Sequence, residues 1–360
     1  MAEKVIVGMS GGVDSAVAAL LLKKEGYDVA GVFMKNWDDS LPGEECPAEE
    51  DYRDVRLVCE SIGIPYYSVN FQQEYWDRVF TYFLEEYKKG RTPNPDVLCN
   101  SEIKFAAFLD FALETGADKI ATGHYVRNGV QNGKPLLMKG LDANKDQSYF
   151  LCMLNAGQIE KAIFPIGAMD KAEVREIARR EGIHVAEKKD STGICFIGER
   201  RFKNFLQNYL PANPGEMVNL EGDVVGRHDG LMYYTLGQRR GLNIGGRKDG
   251  DGRRWFVVKK DLEKNILYVS QGEDELLFSR ALRIKDCNFI SQAPAAKEID
   301  CAAKVRYRQP DQRARLIDEG GGSYVVEFEE KQRAVTPGQY CVLYDGDVCM
   351  GGGAIEEVIE

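Results

Sequence analysis

Three glycines, two serines and an aspartate fall within eight residues near the start of the chain: Gly8-Met9-Ser10-Gly11-Gly12-Val13-Asp14-Ser15. The apolar run Val5-Ile6-Val7 precedes them. Strong helix formers from Ala16 to Leu22 follow, closed by Gly26. This order predicts a strand, a tight turn and a helix. Glycines in such a turn let backbone N–H groups approach an anion, and the helix start adds donors that favour phosphate. Ser10 and Ser15 can contribute hydroxyl donors, and Asp14 can hold a magnesium ion against the phosphates. No Gly-Lys-Ser/Thr follows, so this is not the lysine-containing Walker loop. A turn whose glycines serve only positive φ is the bland alternative, and the strand and helix on either side weigh against it.

Thiols are the second chemical signal. Of nine cysteines, Cys99 and Cys195 lie in polar stretches, each close to an aspartate (Asp96, Asp190) and to basic residues. Loop thiols near positive charge can be nucleophilic thiolates. An inert buried thiol is the competing reading for either one, and sequence alone does not bring the two together. Cys59, Cys152, Cys301 and Cys341 sit in apolar patterns that suit small core residues. The absence of a C-x-x-C pair and the presence of only three histidines disfavour a structural zinc site. Three weaker signals accompany the thiols. Gly123, in Ala121-Thr122-Gly123-His124-Tyr125, stands where a strand should end, and would let a backbone approach adenine or ribose. Met34 ends another expected strand, and Lys145-Asp146-Gln147-Ser148-Tyr149 is a compact polar run that an ordinary helix cap would also explain.

The elements that must position these residues alternate over the first ~120 residues. Strands are expected at Lys4–Met9, Asp28–Met34, Pro65–Asn70 and Lys119–Thr122, and helices at Ala16–Glu25, Tyr52–Ile62, Glu74–Lys89 and Ser101–Thr115. That order predicts an α/β, doubly wound parallel sheet with ligands at the carboxyl ends of its strands. Gly90-Arg91-Thr92-Pro93-Asn94-Pro95-Asp96 has prolines on both sides of Asn94 and predicts an irregular connection through Cys99-Asn100. A further helix is expected at Lys171–Glu181. After about residue 205 short strands separated by Gly, Pro and Asn take over, dividing near residue 275 into a small linker domain and a C-terminal β-barrel. The expected domains are therefore 1–203, 204–275 and 276–360. At 360 residues two or three domains fit the chain length.

The formal charge of −10 argues against unspecific nucleic-acid binding but leaves room for a local basic face, such as one built from Arg239-Arg240, Arg253-Arg254 or Lys259-Lys260. No signal-peptide core and no apolar run near the ~18 residues of a membrane span is visible, so the expected location is cytoplasmic, with no membrane partner.

Taken together, the motifs resemble the tRNA-specific 2-thiouridylase family. The matching pieces are Gly8–Ser15, Thr92–Asn100, Ala121–Tyr125, Lys145–Tyr149, Asp190–Gly198, Tyr234–Leu242 and Val305–Gln309. The resemblance implies an adenine-nucleotide hydrolase-like domain that binds ATP with magnesium through Gly8–Ser15, Met34 and Gly123. It implies adenylation of the 2-carbonyl oxygen of the wobble uridine in tRNAs for Lys, Glu and Gln, with loss of pyrophosphate. Cys195 would carry persulfide sulfur from a sulfur-relay protein or cysteine desulfurase, and Cys99 would attack it to leave a Cys99–Cys195 disulfide. Asp96 would be the acid/base partner. Asn94, Pro95, Asp96, His124, Lys145, Asp146, Gln147, Tyr307, Arg308 and Gln339 would touch the tRNA, whose target base must be splayed out of its loop. An iron–sulfur cluster on Cys99, Cys195 and Asp96 would use the same residues. Outside this resemblance, the phosphate turn also fits a synthetase acting on a carboxylate or amide, or a non-catalytic nucleotide sensor.

Overall fold

The computed structural model describes residues 2–37, 47–190, 202–245 and 252–359. The first region is built on five parallel strands: β1 (Lys4–Met9), β2 (Asp28–Lys35), β3 (Tyr66–Asn70), β4 (Lys119–Ala121) and, later in the chain, β7 (Ala162–Ile163). Their order is β3-β2-β1-β4-β7, so the winding direction reverses between β1 and β4. Alternation along β1 sends Val5 and Val7 to one face and Ile6 to the other, and each face meets its own apolar layer. Helices Val13–Lys24, Pro47–Ile62 and Lys171–Arg180 cover the first face. The helical runs 72–88 and 95–114 cover the second, where Phe83, Phe105 and Phe108 are fully buried. Each such side chain contributes about 1.5–3 kcal/mol by leaving water.

Two features of this region depart from the sequence-based reading. The irregular stretch expected through Cys99–Asn100 ends early, because a helix starts at Pro95. The Asn94 side chain accepts the Asp96 N–H at 3.2 Å, and proline at the first helical position carries a preset φ, so the residues that looked like loop markers form a helix start. Cys99 therefore lies on a helix, at the head of a π-type stretch Cys99–Ala107, not in a loop. The second departure is a hairpin, β5 (Val126–Gln131) and β6 (Lys134–Lys139), turned at Asn132-Gly133, both with positive φ.

The middle region is a four-stranded sheet of β8 (Gly215–Val218), β9 (Val224–His228), β10 (Trp255–Asp261) and β11 (Ile266–Gln271) in the order β10-β11-β8-β9. The last region holds β12 (Phe278–Phe289), β13 (Glu298–Lys304), β14 (Gln312–Gly320), β15 (Ser323–Arg333), β16 (Tyr340–Asp345) and β17 (Val348–Ile359). Pairing of β12 with both β15 and β17 closes these six strands into a barrel around Leu282, Ile284, Leu316, Val326, Phe328 and Leu343. β6 pairs with β17, so the hairpin of the first region extends the barrel sheet. Among the described residues no helix is long and apolar enough to cross a membrane.

The connection at 90–93 is gripped from both β-rich regions. Lys260 donates to the Gly90 carbonyl at 2.9 Å, and the Thr92 and Thr235 hydroxyls lie 3.3 Å apart. From the barrel side, Pro337 accepts the Thr92 N–H at 3.0 Å and Gln339 donates to the Thr92 carbonyl at 2.8 Å. Gly338, at φ +91°, lies so close that a Cβ would sit 3.0 Å from the Thr92 backbone. Gly338→Ala therefore combines left-handed strain with a clash, and is expected to destabilise the protein by about 1–3 kcal/mol, read as a lower urea midpoint at unchanged slope.

Candidate functional site

β1 ends at Met9, and the chain turns through Ser10, Gly11 and Gly12 into the helix Val13–Lys24 at the carboxyl edge of the sheet. The turn is internally tied. Ser15 Oγ accepts the Ser10 N–H at 3.2 Å, lies 3.3 Å from Ser10 Oγ, and reaches the Gly12 carbonyl at 3.2 Å. Gly11 has φ +73°, and its bare Cα lies against the backbone of Asp51. Across the reversal point, Gly123 follows β4, and a Cβ there would lie 2.7 Å from Asp14 C and Ser15 N. Glycine at 123 thus lets the end of β4 press against the first helical turn. Met34 is buried on β2, with its methyl group next to Gly8.

A charge network surrounds the turn. Lys171, the first residue of its helix, places Nζ 2.7 and 2.8 Å from the two Asp14 carboxylate oxygens and 2.8 Å from Asp190. Tyr125 donates its hydroxyl to Asp14 at 2.7 Å. Asp190 also accepts from Lys145 at 2.5 Å and from Arg175 at 2.9 Å. Burial raises the Asp190 pKa, but the hydrogen bonds and charges of Lys145 and Lys171 outweigh it and bring the carboxyl down to about 2. Two residues earlier, Lys188 binds Asp51 at 2.8 Å and also Asp54, while Arg175 donates to the Lys188 carbonyl at 3.0 Å. The segment leading into the Cys195 motif is thereby pinned to two helices. Cys195, with the rest of that motif after Asp190, lies outside the described residues.

Cys99 is fully buried, and Asp96, one helical turn before it, is half-buried. Pro95 is buried and Asn94 half-buried, its side chain engaged as the helix cap. Gln339 reaches this helix start from the barrel through Thr92 and Pro93. The Tyr307 hydroxyl lies 3.5 Å from the Lys145 carbonyl, and its ring packs on Phe150 at 4.5 Å, with Arg308 exposed beside it. Asp146 and Gln147 are engaged inside the fold. Asp146 accepts the backbone N–H groups of Gly140 and Ser148, and Gln147 accepts that of Tyr125. His124 is buried, with Nδ1 2.8 Å from the Thr122 hydroxyl. Burial, then the charge of Lys104, holds its pKa well below the ordinary histidine value, so the ring is neutral at pH 7.

Lys171 was not singled out from sequence, although a signal existed. It follows the capping Asp170 directly, at the helix end where the dipole disfavours a cation, so a tertiary partner had to account for it. The depressed Asp190 carboxyl supplies stability that is present above its unfolded pKa near 3.8 and lost as pH falls towards 2. Asp190→Asn is therefore expected to lower the denaturation midpoint at pH 7, with the gap to wild type narrowing once pH drops below about 4. A gap independent of pH would contradict this assignment.

Comparison with known proteins covers nearly the whole chain. Residues 3–199 match the family described as tRNA methyl transferase HUP domain, residues 203–271 the tRNA methyl transferase PRC-barrel domain, and residues 279–355 the aminomethyltransferase beta-barrel domain. The tRNA-specific 2-thiouridylase MnmA of Alkaliphilus oremlandii is 60% identical over 358 residues, covering 99% of this chain and 98% of the relative. Its namesake in Listeria monocytogenes serovar 1/2a is 58% identical over 356 residues, covering 99% of this chain and 95% of the relative. With three successive domain matches and full-length identity of this order, the chain belongs to the tRNA-specific 2-thiouridylase family.

Proposed function

We propose that the protein replaces the 2-oxygen of the wobble uridine in tRNAs for Lys, Glu and Gln with sulfur, after activating that oxygen with ATP. The observation that carries this reading is the identity of 58–60% to relatives named tRNA-specific 2-thiouridylase, which extends through both β-rich regions. Methyl transfer, which enters through the family descriptions, would leave the glycine turn at Gly8–Ser15 and the thiols at 99 and 195 without a task.

A uracil carbonyl oxygen is a poor leaving group, whereas AMP is a good one. The oxygen attacks the α-phosphorus, the bond to the bridging oxygen breaks, and pyrophosphate leaves with the electron pair. Gly8–Ser15 would cradle the phosphates, with Met34 and Gly123 bordering the rest of the nucleotide. Magnesium would screen the triphosphate charge. Asp14 and the Ser10 and Ser15 hydroxyls are the hard oxygen donors it favours, and no group of three or more metal-binding side chains lies nearby among the described residues.

The persulfide sulfur on Cys195, supplied by a relay protein or cysteine desulfurase, attacks C2 and displaces AMP. Cys99 then attacks the Cys195 sulfur, releasing the sulfur to the base and leaving a disulfide that a reductant must reset. Asp96 serves as the acid/base group, with Asn94 and Pro95 beside the extruded base. The Lys145, Tyr307 and Arg308 cluster and the helix start held by Gln339 would form the tRNA-facing edge. Residues 1–203 form the nucleotide domain in this reading, 204–275 and 276–360 the two domains that grip RNA, and the reaction takes place in the cytoplasm.

Cys195→Ser and Cys99→Ser separate activation from sulfur transfer. With ATP and unmodified tRNA, both variants are expected to release pyrophosphate in a single turnover while forming no 2-thiouridine. Thiolation surviving in Cys195→Ser would remove Cys195 as the sulfur carrier.

A further inference from the structure

We infer that Lys171 is a phosphate-contacting catalytic residue of the adenylation step, a role that rests on the ATP-dependent reading above. Its side chain is 13% exposed, and its ammonium group sits between two carboxylates, 2.7 and 2.8 Å from Asp14 and 2.8 Å from Asp190. Asp14 belongs to the glycine turn itself. Among the described residues, Lys171 is the cation in ion-pair contact with that turn. The turn offers only neutral donors to a triphosphate: backbone N–H groups and the Ser10 and Ser15 hydroxyls. Lys145 and Arg175 stop at Asp190, one residue farther out.

Two local facts indicate that the position is not made for helix stability. A lysine at the first helical residue opposes the helix dipole. Its Nζ lies 5.8 Å from the centroid of the Tyr125 ring and bonds Asp14, so the side chain bridges the helix Lys171–Arg180 to the helix Val13–Lys24. An ammonium group held between two carboxylates can exchange one of them for phosphate oxygens at little net electrostatic cost, because one anion replaces another.

In the step proposed, Lys171 turns from Asp14 to the triphosphate and stays protonated throughout. The bond between the uridine oxygen and the α-phosphorus forms, and the bond from that phosphorus to the bridging oxygen breaks. Lys171 neutralises charge as it gathers on the departing pyrophosphate. Asp14, freed from the ammonium, would be an oxygen donor for magnesium carried by the nucleotide. Lys145 and Arg175 remain on Asp190, so the segment leading to Cys195 keeps its anchor.

The test measures binding of magnesium-ATP and of adenosine by calorimetry, and single-turnover pyrophosphate release with unmodified tRNA. Lys171→Met is expected to weaken ATP binding about 10–100-fold while leaving adenosine within about twofold, and to slow pyrophosphate release about 10²–10³-fold. Equal losses for ATP and adenosine, or an unchanged ATP affinity and rate, would overturn the assignment. Lys171→Arg keeps the charge and both ion pairs, and judges the proposal even if the methionine variant does not fold. It should hold ATP affinity within about threefold but slow pyrophosphate release at least about tenfold, because the planar fork replaces a point charge. Wild-type speed in Lys171→Arg would mean a structural lysine. If the unaltered protein binds ATP yet releases no pyrophosphate with tRNA, the thiolation reading fails, while the ATP–adenosine comparison still decides whether Lys171 meets phosphate.

Discussion

The backbone of residues 90–93 is where the three parts of the molecule are held in register. Lys260 of the middle sheet holds Gly90, and Pro337, Gly338 and Gln339 of the barrel hold Thr92 and Pro93. The helical run from Pro95 begins directly beyond this grip and carries Asp96, Cys99 and Phe108. Phe108 in turn lies against Gly8, at the end of the strand that feeds the glycine turn. A shift of the β-rich regions would be transmitted through a few rigid contacts to the thiol and carboxylate on that helix. The two β-rich regions thus set the geometry of a site to which they contribute few reacting groups, in keeping with function residing in a site built upon a shared fold.

Electrostatic pre-pairing explains how an acidic chain can handle polyanions. Near the turn, Lys171 is paired with Asp14 and Asp190, and Lys145 with Asp190. Farther out, Lys304 pairs with Asp311. Half-buried pairs of this kind contribute little net stability, because desolvation offsets much of the attraction. What they supply is poise: each ammonium group is already oriented, those of Lys171 and Lys304 on largely buried side chains, and a phosphate can take the place of a carboxylate. The charge of −10 describes the whole surface and not the crevice.

The parallel sheet was legible because its signals are local. The strands at Lys4–Met9 and Asp28–Lys35 are continuous apolar runs bounded by glycine or polar residues, as strands buried on both faces should be. Gly8–Ser15 was legible for the same reason: its meaning lies in eight consecutive residues. The helix start at Pro95 was misread because Asn94 and Pro95 mark both loops and helix caps, and only the bond from the Asp96 N–H decides between them. The hairpin at Asn132-Gly133 carried a strong turn signal, but its strands, half-buried with several exposed positions, lack a clear apolar alternation. The barrel strands Gln312–Gly320 and Val348–Ile359 carry a similarly weak signal, since charge and glycine dilute their pattern. Lys171 was hidden by distance: its partners Asp14 and Asp190 stand 157 and 19 positions away, and only tertiary folding brings them together.

Mass spectrometry of nucleosides from tRNA of a strain lacking this gene tests the central claim most directly. The account predicts that 2-thiouridine derivatives disappear from the tRNAs for Lys, Glu and Gln and return when the unaltered gene is restored. Retention of 2-thiouridine at wild-type levels in the deletion strain would contradict it.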